Sequence, residues 1–434
     1  MKIKTDFLLP ALVLCSGNSY ALDLLFEPDF SFKERYDDNL RLQPDPIRDN
    51  WVSTLSPALT SGYISENNDL TTKFRWNELI YHGESSLNFS EKLANLNHQF
   101  RHELFKTDFG ASYLEQSSLS TQLDETGSGN LRTQVPRISK SLSPSFTYFL
   151  TEKNSLQLSY NLTDVKFDRP ENIASSNAFS DYKNQQFSAI ATHAYSQRLS
   201  FNLIGSYSKF DSISDISGFG TVRKVAGFDV IPFLSKGTTT YNQNSATLNY
   251  QAGLQYAFSE QLQLSFSAGI RNTDTETVGH TIFNNPLFQS TEFSQNSRTS
   301  GHVFSANLTQ KSEWGSINLN AGQQLNPASS GTQQTSTTFS AAANYNLSER
   351  WSTGINANYL IAETVSTFGD ISSSNNRTYA AISPNIRWQW TPEINLDFSY
   401  SYRQQYFESN NQTAIGNSVQ FQFSYQPQIN RQVK

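Results

Sequence analysis

Cysteine and methionine are almost missing from this chain, one of each in 434 residues, at Cys15 and Met1. Charge is also scarce: Asp, Glu, Lys and Arg make up 16%, where soluble domains carry about a quarter. Lys and Arg number 32 against 38 Asp and Glu, with no polybasic tract, which excludes an electrostatic grip on nucleic acid. Long apolar runs are missing too. No segment beyond the first residues approaches the roughly 20 apolar residues of a membrane-crossing helix. What the chain has instead is aromatic side chains, at 13%, set among Ser, Thr, Asn and Gln. That excludes a disordered chain, which is poor in aromatics, and fits poorly with an ordinary cytosolic enzyme.

The N-terminus reads as a secretory leader. Lys2 and Lys4 precede an apolar run from Phe7 to Cys15, and Ser19-Tyr20-Ala21 is a small-x-small cleavage site. Cleavage after Ala21 is expected, giving residues 1–21 as signal peptide. Lipidation at Cys15 is the minor alternative, because Leu14 stands where a small residue belongs. The mature chain then has no thiol, so disulfides, Cys nucleophiles and Cys metal sites are excluded.

Beyond the leader one pattern recurs. Leu262, Leu264, Phe266, Ala268 and Ile270 alternate with Gln263, Ser265, Ser267, Gly269 and Arg271, which is the period-2 signature of a strand with one apolar face. Ile394 to Arg403 and Leu156 to Leu162 repeat it. Short Ser/Thr-Glu turns at Thr151-Glu152, Ser259-Glu260, Ser348-Glu349 and Thr391-Pro392-Glu393 alternate with longer Asn/Ser/Gly/Asp-rich connections, including those at 120–135, 212–243 and 276–299. In lipid every backbone amide must be paired internally, so strands cross only as a closed barrel. Short periplasmic turns and long extracellular loops are the mark of such barrels. A soluble sandwich also alternates, but its core favours Val, Ile and Leu over Tyr and leaves the short/long rule without a cause.

The expectation is therefore an all-β, antiparallel up-and-down transmembrane barrel of about 18 strands over residues 22–426, with a polar periplasmic tail at 427–434. The fourth strand is the weakest, because Leu93, Leu96, Phe100 and Leu104 also fit helical spacing; without it the count is about sixteen. Trp51, Tyr63, Trp76, Trp314, Trp351, Trp388 and Trp390 fall near strand ends or on the lipid parity, where interfacial girdles place such rings. Val419, Phe421, Phe423 and Tyr425 look like a barrel-assembly signal, so barrel assembly machinery and outer-membrane lipid are the expected partners. Nucleic acid is not.

No catalytic set emerges, and neither an enzyme nor a cofactor is expected. His98, His102 and Glu103 do not have the His-Glu-x-x-His order and no third ligand is near. Ser217-Gly218-Phe219-Gly220 lacks the Lys-Ser/Thr of a phosphate loop, and there is no Gly-x-Ser-x-Gly. The lumen remains. The polar parity places Glu27, Asp29, Lys33, Arg35, Lys73, Arg75, Arg137, Arg271, Arg387, Asp397 and Arg403 toward water, since charge on the lipid side is costly. These residues either line a pore for hydrophilic, anionic solutes or simply satisfy one another across strands. The 212–243 connection carries Phe219, Phe228 and Phe233 with Arg223, Lys224 and Lys236. It is apolar enough either to fold inward as a constriction or to pack on its neighbours outside.

Phe30 to Leu40, with its Tyr36-Asp37-Asp38-Asn39 run, followed by Trp51-Val52-Ser53-Thr54-Leu55-Ser56-Pro57, resembles the outer-membrane β-barrel family of exosortase/PEP-CTERM exopolysaccharide systems. The match covers the N-terminal fifth. It implies a Gram-negative outer-membrane location, a role in export or assembly of surface polysaccharide, and periplasmic export components as partners. An alginate-export-like porin would also suit about 18 strands. A general porin and a non-conducting structural or adhesion barrel are the alternatives.

Overall fold

The computed structural model describes residues 23–427, except 46–47, 130, 132, 170–178, 226–227, 285–289 and 366–375, and the side chains of 216–235. The expected leader at 1–21 and most of the polar tail lie outside the described residues.

The chain forms β1 (Asp23–Asp37), β2 (Asn50–Ile64), β3 (Asn68–Tyr81), β4 (Phe89–Arg101), β5 (Phe105–Ser117) and β6 (Pro136–Thr151). Then come β7 (Asn154–Phe167), β8 (Asp181–Ala194), β9 (Leu199–Val225), β10 (Phe228–Ala257), β11 (Leu262–Phe283) and β12 (Thr291–Ser312). The last are β13 (Gly315–Pro327), β14 (Gln333–Asn346), β15 (Trp351–Thr364), β16 (Arg377–Gln389), β17 (Ile394–Phe407) and β18 (Gln412–Tyr425). Each pairs antiparallel with the next, and β1 pairs with β18 from Phe30↔Tyr425 to Asp37↔Ser418, closing an 18-stranded barrel. The fourth strand, ambiguous by spacing, is a strand. No helix among the described residues is long and apolar enough to cross a membrane.

Alternation sorts the side chains as the sequence predicts. Leu24, Phe26, Phe74, Phe187, Leu203, Tyr250, Leu319 and Phe398 are exposed on the outside, with Ser, Thr, Asn and Gln between them facing in. Trp314, Trp351 and Trp390 crowd the short-turn end of the outer face, and Trp351 stacks on Trp388 at 5.4 Å. Amphipathic rings settle where hydrocarbon meets headgroup.

The repeated turns have a shared local cause. In each, the Ser or Thr hydroxyl accepts from the backbone N–H groups two and three residues on, at 3.1 to 3.3 Å: Thr151, Ser196, Ser259, Ser348 and Thr391. The side chain replaces the ladder where the backbone must reverse.

The 212–243 connection, read as a long loop that folds inward or packs outside, is instead mostly strand: β9 and β10 run for 27 and 30 residues and stay paired up to Phe228↔Val225. The β11–β12 hairpin likewise absorbs most of 276–299. Ile213 and Ile216 and the threonines at 238–240 are strand formers, and the Ser and Asp between them gave a loop-like polarity that hid it. Lys236 is exposed on this hairpin; the side chains of Phe219, Arg223, Lys224, Phe228 and Phe233 lie outside the described residues.

Candidate pore and its inward segments

The lumen is built by register. Asp29, Ala58, Arg75 and Leu93 occupy one inward row across β1 to β4, and Arg271 lies opposite Gly301. Lys33, Arg35, Lys73, Arg75, Arg137, Arg271, Arg387, Asp397 and Arg403 all stand on the inward parity, as do Glu27 and Asp29. They are unevenly distributed around the wall. Most lie on β1, β3, β6, β16 and β17, flanking the β1–β18 closure, with Glu91, Arg101, Lys106 and Asp108 adding to them on β4 and β5. The wall from β7 to β10 and from β13 to β15 is neutral: Ser159 and Ser188 bond across it at 2.6 Å, and Thr247 and Thr273 at 3.0 Å.

Some of these charges are neutralised in place. Arg387 Nε meets Asp397 Oδ1 at 2.6 Å, and Arg403 Nη2 meets Asp37 Oδ1 at 2.6 Å. Lys33 has Arg35 and Arg75 beside it as like charges and Glu91, on β4, as an opposing one, and Arg35 lies 3.9 Å from Asp37; three cations against two carboxylates leave that patch net positive.

The constriction comes from elsewhere. The described residues of 118–135, between β5 and β6, cross the long-connection end of the lumen and dock on the opposite wall. Arg377 Nη2, on β16, donates to the carbonyls of Asp124 and Gly127 at 2.7 and 3.1 Å, and Gln405 Nε2, on β17, donates to the carbonyl of Gly129 at 3.1 Å. Leu131 packs with Leu42, Leu360, Tyr379 and Ala414. A segment of this kind must satisfy its own polar backbone when it is buried, and the wall amides and guanidinium supply that. Gly129 takes φ +74°, and a Cβ there would meet Arg377 Cδ at 2.6 Å. The sequence did carry a signal: Leu119, Leu123, Leu131 and Val135 are too apolar for an idle external loop. The same argument applied to 212–243 left folding inward and packing outside both open.

The tip of the β13–β14 hairpin joins this segment inside. Ser329 N donates to the Thr126 carbonyl at 2.9 Å, Ser180 N donates to the Ser329 carbonyl at 2.7 Å, and Ser212 Oγ donates to the Gly331 carbonyl at 2.5 Å. The connection after β1 also turns inward, placing Leu40 among Val52, Leu79, Tyr81 and Leu87.

The Tyr36-Asp37-Asp38-Asn39 run finds its use here. Asp38 accepts from the backbone and side-chain nitrogens of Asn417 at 2.6 and 2.8 Å, and Asn39 Nδ2 donates to the Ile415 carbonyl at 2.7 Å. The run clips the first strand to the last. His98 faces outward and bonds Asn68 at 2.6 Å while the His102 ring stacks on Phe105, so the two have different surroundings.

No protein-family model and no curated protein matches the chain. Among solved structures it is similar to the ferric-catecholate import receptor Fiu of E. coli K12, at 9% identity over 92% of this chain and 81% of that one, TM-score 0.47. It is also similar to the ferric yersiniabactin uptake receptor FyuA of Yersinia pestis, at 9% identity over 94% and 80%, TM-score 0.44. The outer membrane protein OpdK of Pseudomonas aeruginosa matches at 10% identity over 93% and 98%, TM-score 0.40.

Proposed function

We propose that this barrel is an outer-membrane channel for a hydrophilic polymer, with the long-connection end outside the cell. Its role in this reading is export or assembly of a surface exopolysaccharide, which the N-terminal resemblance implies. The observation that carries the channel reading is the divided lumen. A stripe bearing Lys33, Arg35, Lys73, Arg75 and Arg137 faces a wall of hydroxyls and amides, which suits hydroxyl-rich, anionic chains better than small ions alone. Phosphates, carboxylates and sugar hydroxyls all accept or exchange hydrogen bonds with such groups.

Conductance of the refolded protein in planar bilayers tests the channel, with steady or ligand-gated current as the expected result. Deletion of the gene followed by localisation of the polymer tests the role: normal surface polysaccharide in the mutant rules it out, leaving a general porin. A non-conducting structural barrel is favoured by one observation, the packed inward segments, and silence in the bilayer assay would establish it.

A further inference from the structure

The β12–β13 seam is open at its upper end. The ladder between the two strands ends at Phe304↔Gln323, yet both strands continue. β12 runs on to Thr291 with β11 as its ladder neighbour, and β13 runs on to Pro327 paired with β14. From Val303 to Thr299, β12 therefore presents a free edge among the described residues. A free edge is a template for pairing. It begins where the outward side chains change from Ala306 and Phe304 to His302, Ser300 and Arg298, so it lies at the headgroup boundary, where unpaired backbone is tolerated.

What should fill that edge lies inside the barrel. Thr335 belongs to the face of β14 that carries Phe339 outward, yet its Oγ1 accepts from Nη2 of Arg271, on the inner wall of β11, at 2.6 Å. The hairpin has thus crossed behind the β10–β12 wall. Arg271 is left 5% exposed with Nε and Nη1 unpartnered, and Thr299 Oγ1 and Gln333 Oε1 are buried and unpartnered as well, among the described residues. A buried guanidinium with one hydrogen bond and no carboxylate disfavours the position that buries it. Glu125 of the 118–135 segment holds the hairpin in, accepting from Gln324 and Asn326 at 2.7 and 3.1 Å.

We infer that the β13–β14 hairpin is a gate with two seats: the inserted one seen here, and a wall seat in which it closes the β12 edge and clears the lumen. Continuing the existing register sets Val303 opposite Gln324 and Gly301 opposite Asn326. Parity is kept, since all four then face inward. Asn326 then stands in the row of Arg271 and Gly301, beside a guanidinium that lies directly over the glycine, 3.0 Å from where a Cβ would be. The wall seat exchanges Glu125 for Arg271 as the partner of Asn326 and relieves the buried cation. That the movement opens a conducting path rests on the channel reading.

The absence of cysteine from the expected mature chain makes the test clean. Thr299→Cys with Ala328→Cys continues the same register and reports the wall seat; Ser180→Cys with Ser330→Cys staples the inserted one. Folding of each variant is checked by heat-modifiable mobility on gels. Under mild oxidation in membranes, the 299/328 pair is expected to cross-link and raise conductance, several-fold faster when Glu125→Ala is added. The 180/330 disulfide is expected to abolish current steps until reductant is added. A folded 299/328 variant that never cross-links, with or without Glu125→Ala, overturns the gate. Cross-linking without any change in current keeps the two seats and removes the channel reading instead.

Discussion

Arg403 and Asp37 meet across the closure of the barrel, Nη2 to Oδ1 at 2.6 Å, with side chains 11% and 0% exposed. The pair joins β17 to the end of β1 and spans the strand between them. Removing the arginine leaves a buried carboxylate with the Asn39 backbone N–H donating at 3.2 Å and Arg35 Nε 3.9 Å away as the nearest remaining cation. Arg403→Ala is expected to cost about 3 kcal/mol, at the lower end for a broken buried pair, read as a lowered urea midpoint with unchanged slope. Replacing both partners with apolar residues should cost less than Arg403→Ala alone, which a double-mutant cycle measures.

The docked 118–135 segment should depend on pH through Asp124. Burial raises its carboxyl above the ordinary 3.8, and the nearby Arg137 and Arg377 pull the other way without cancelling it. The docked state therefore holds the proton more tightly than the free segment does. The resulting stabilisation is complete below the ordinary value and is lost as pH rises through the raised one. Hydrogen exchange at 122–129, corrected for intrinsic rates, should show docking weakening from about pH 4 toward neutrality. Asp124→Asn should flatten that profile and strengthen docking at neutral pH; an unchanged profile would sink the assignment.

Gly129 is the point at which the same segment is least tolerant. Its positive φ strains any L side chain, and the Arg377 and Gln405 side chains occupy the space a Cβ needs, each 2.6 Å from it. Gly129→Val should loosen docking by roughly 1 to 3 kcal/mol, the cost of a strained backbone position. The barrel itself should stay folded, so limited proteolysis should cut within 118–135 while heat-modifiable mobility is retained.

Ion selectivity separates net charge from paired charge. Replacing Lys33, Arg35 and Arg75 with glutamine should move the reversal potential in a salt gradient toward cation preference. Arg387→Gln with Asp397→Asn removes a pair bonded at 2.6 Å and should move it little. Both effects should shrink at high salt, because the screening length falls from about 10 Å at 0.1 M to about 3 Å at 1 M.

Much of this barrel was legible because alternation is imposed residue by residue. Leu262 to Arg271 need only local parity to be sorted into lipid and lumen, and the Ser259 and Ser348 turns are local as well. Inward parity likewise placed Arg387 and Asp397 without any knowledge of their partner. What could not be read is long-range. Nothing near Gly129 states that Gln405 will donate to its carbonyl, and Arg271 gives no hint that Thr335 will fold behind its wall. The 212–243 hairpin failed for a different reason: outside the membrane a strand needs no apolar face, so its Ser and Thr residues look the same as those of a loop.

Leu319 and Asn320 offer the sharpest test of orientation, because they are neighbours in sequence on opposite faces of β13. Leu319 is 42% exposed midway between the Gly315 turn and the end of the ladder at Gln323, in an outward row with Leu308 and Ala341. Asn320 points into the lumen beside Asn307. Arginine at 319 must sit in hydrocarbon or bend the wall to reach the interface, a cost of about 2 to 4 kcal/mol near the midplane. Arginine at 320 meets water and neutral amides and should change stability by only about 0.5 kcal/mol. The two variants, unfolded by urea from vesicles, should therefore differ by several kcal/mol while differing in sequence by one position. Equal costs would place the outer face of β13 in water and remove the membrane from the account of this strand.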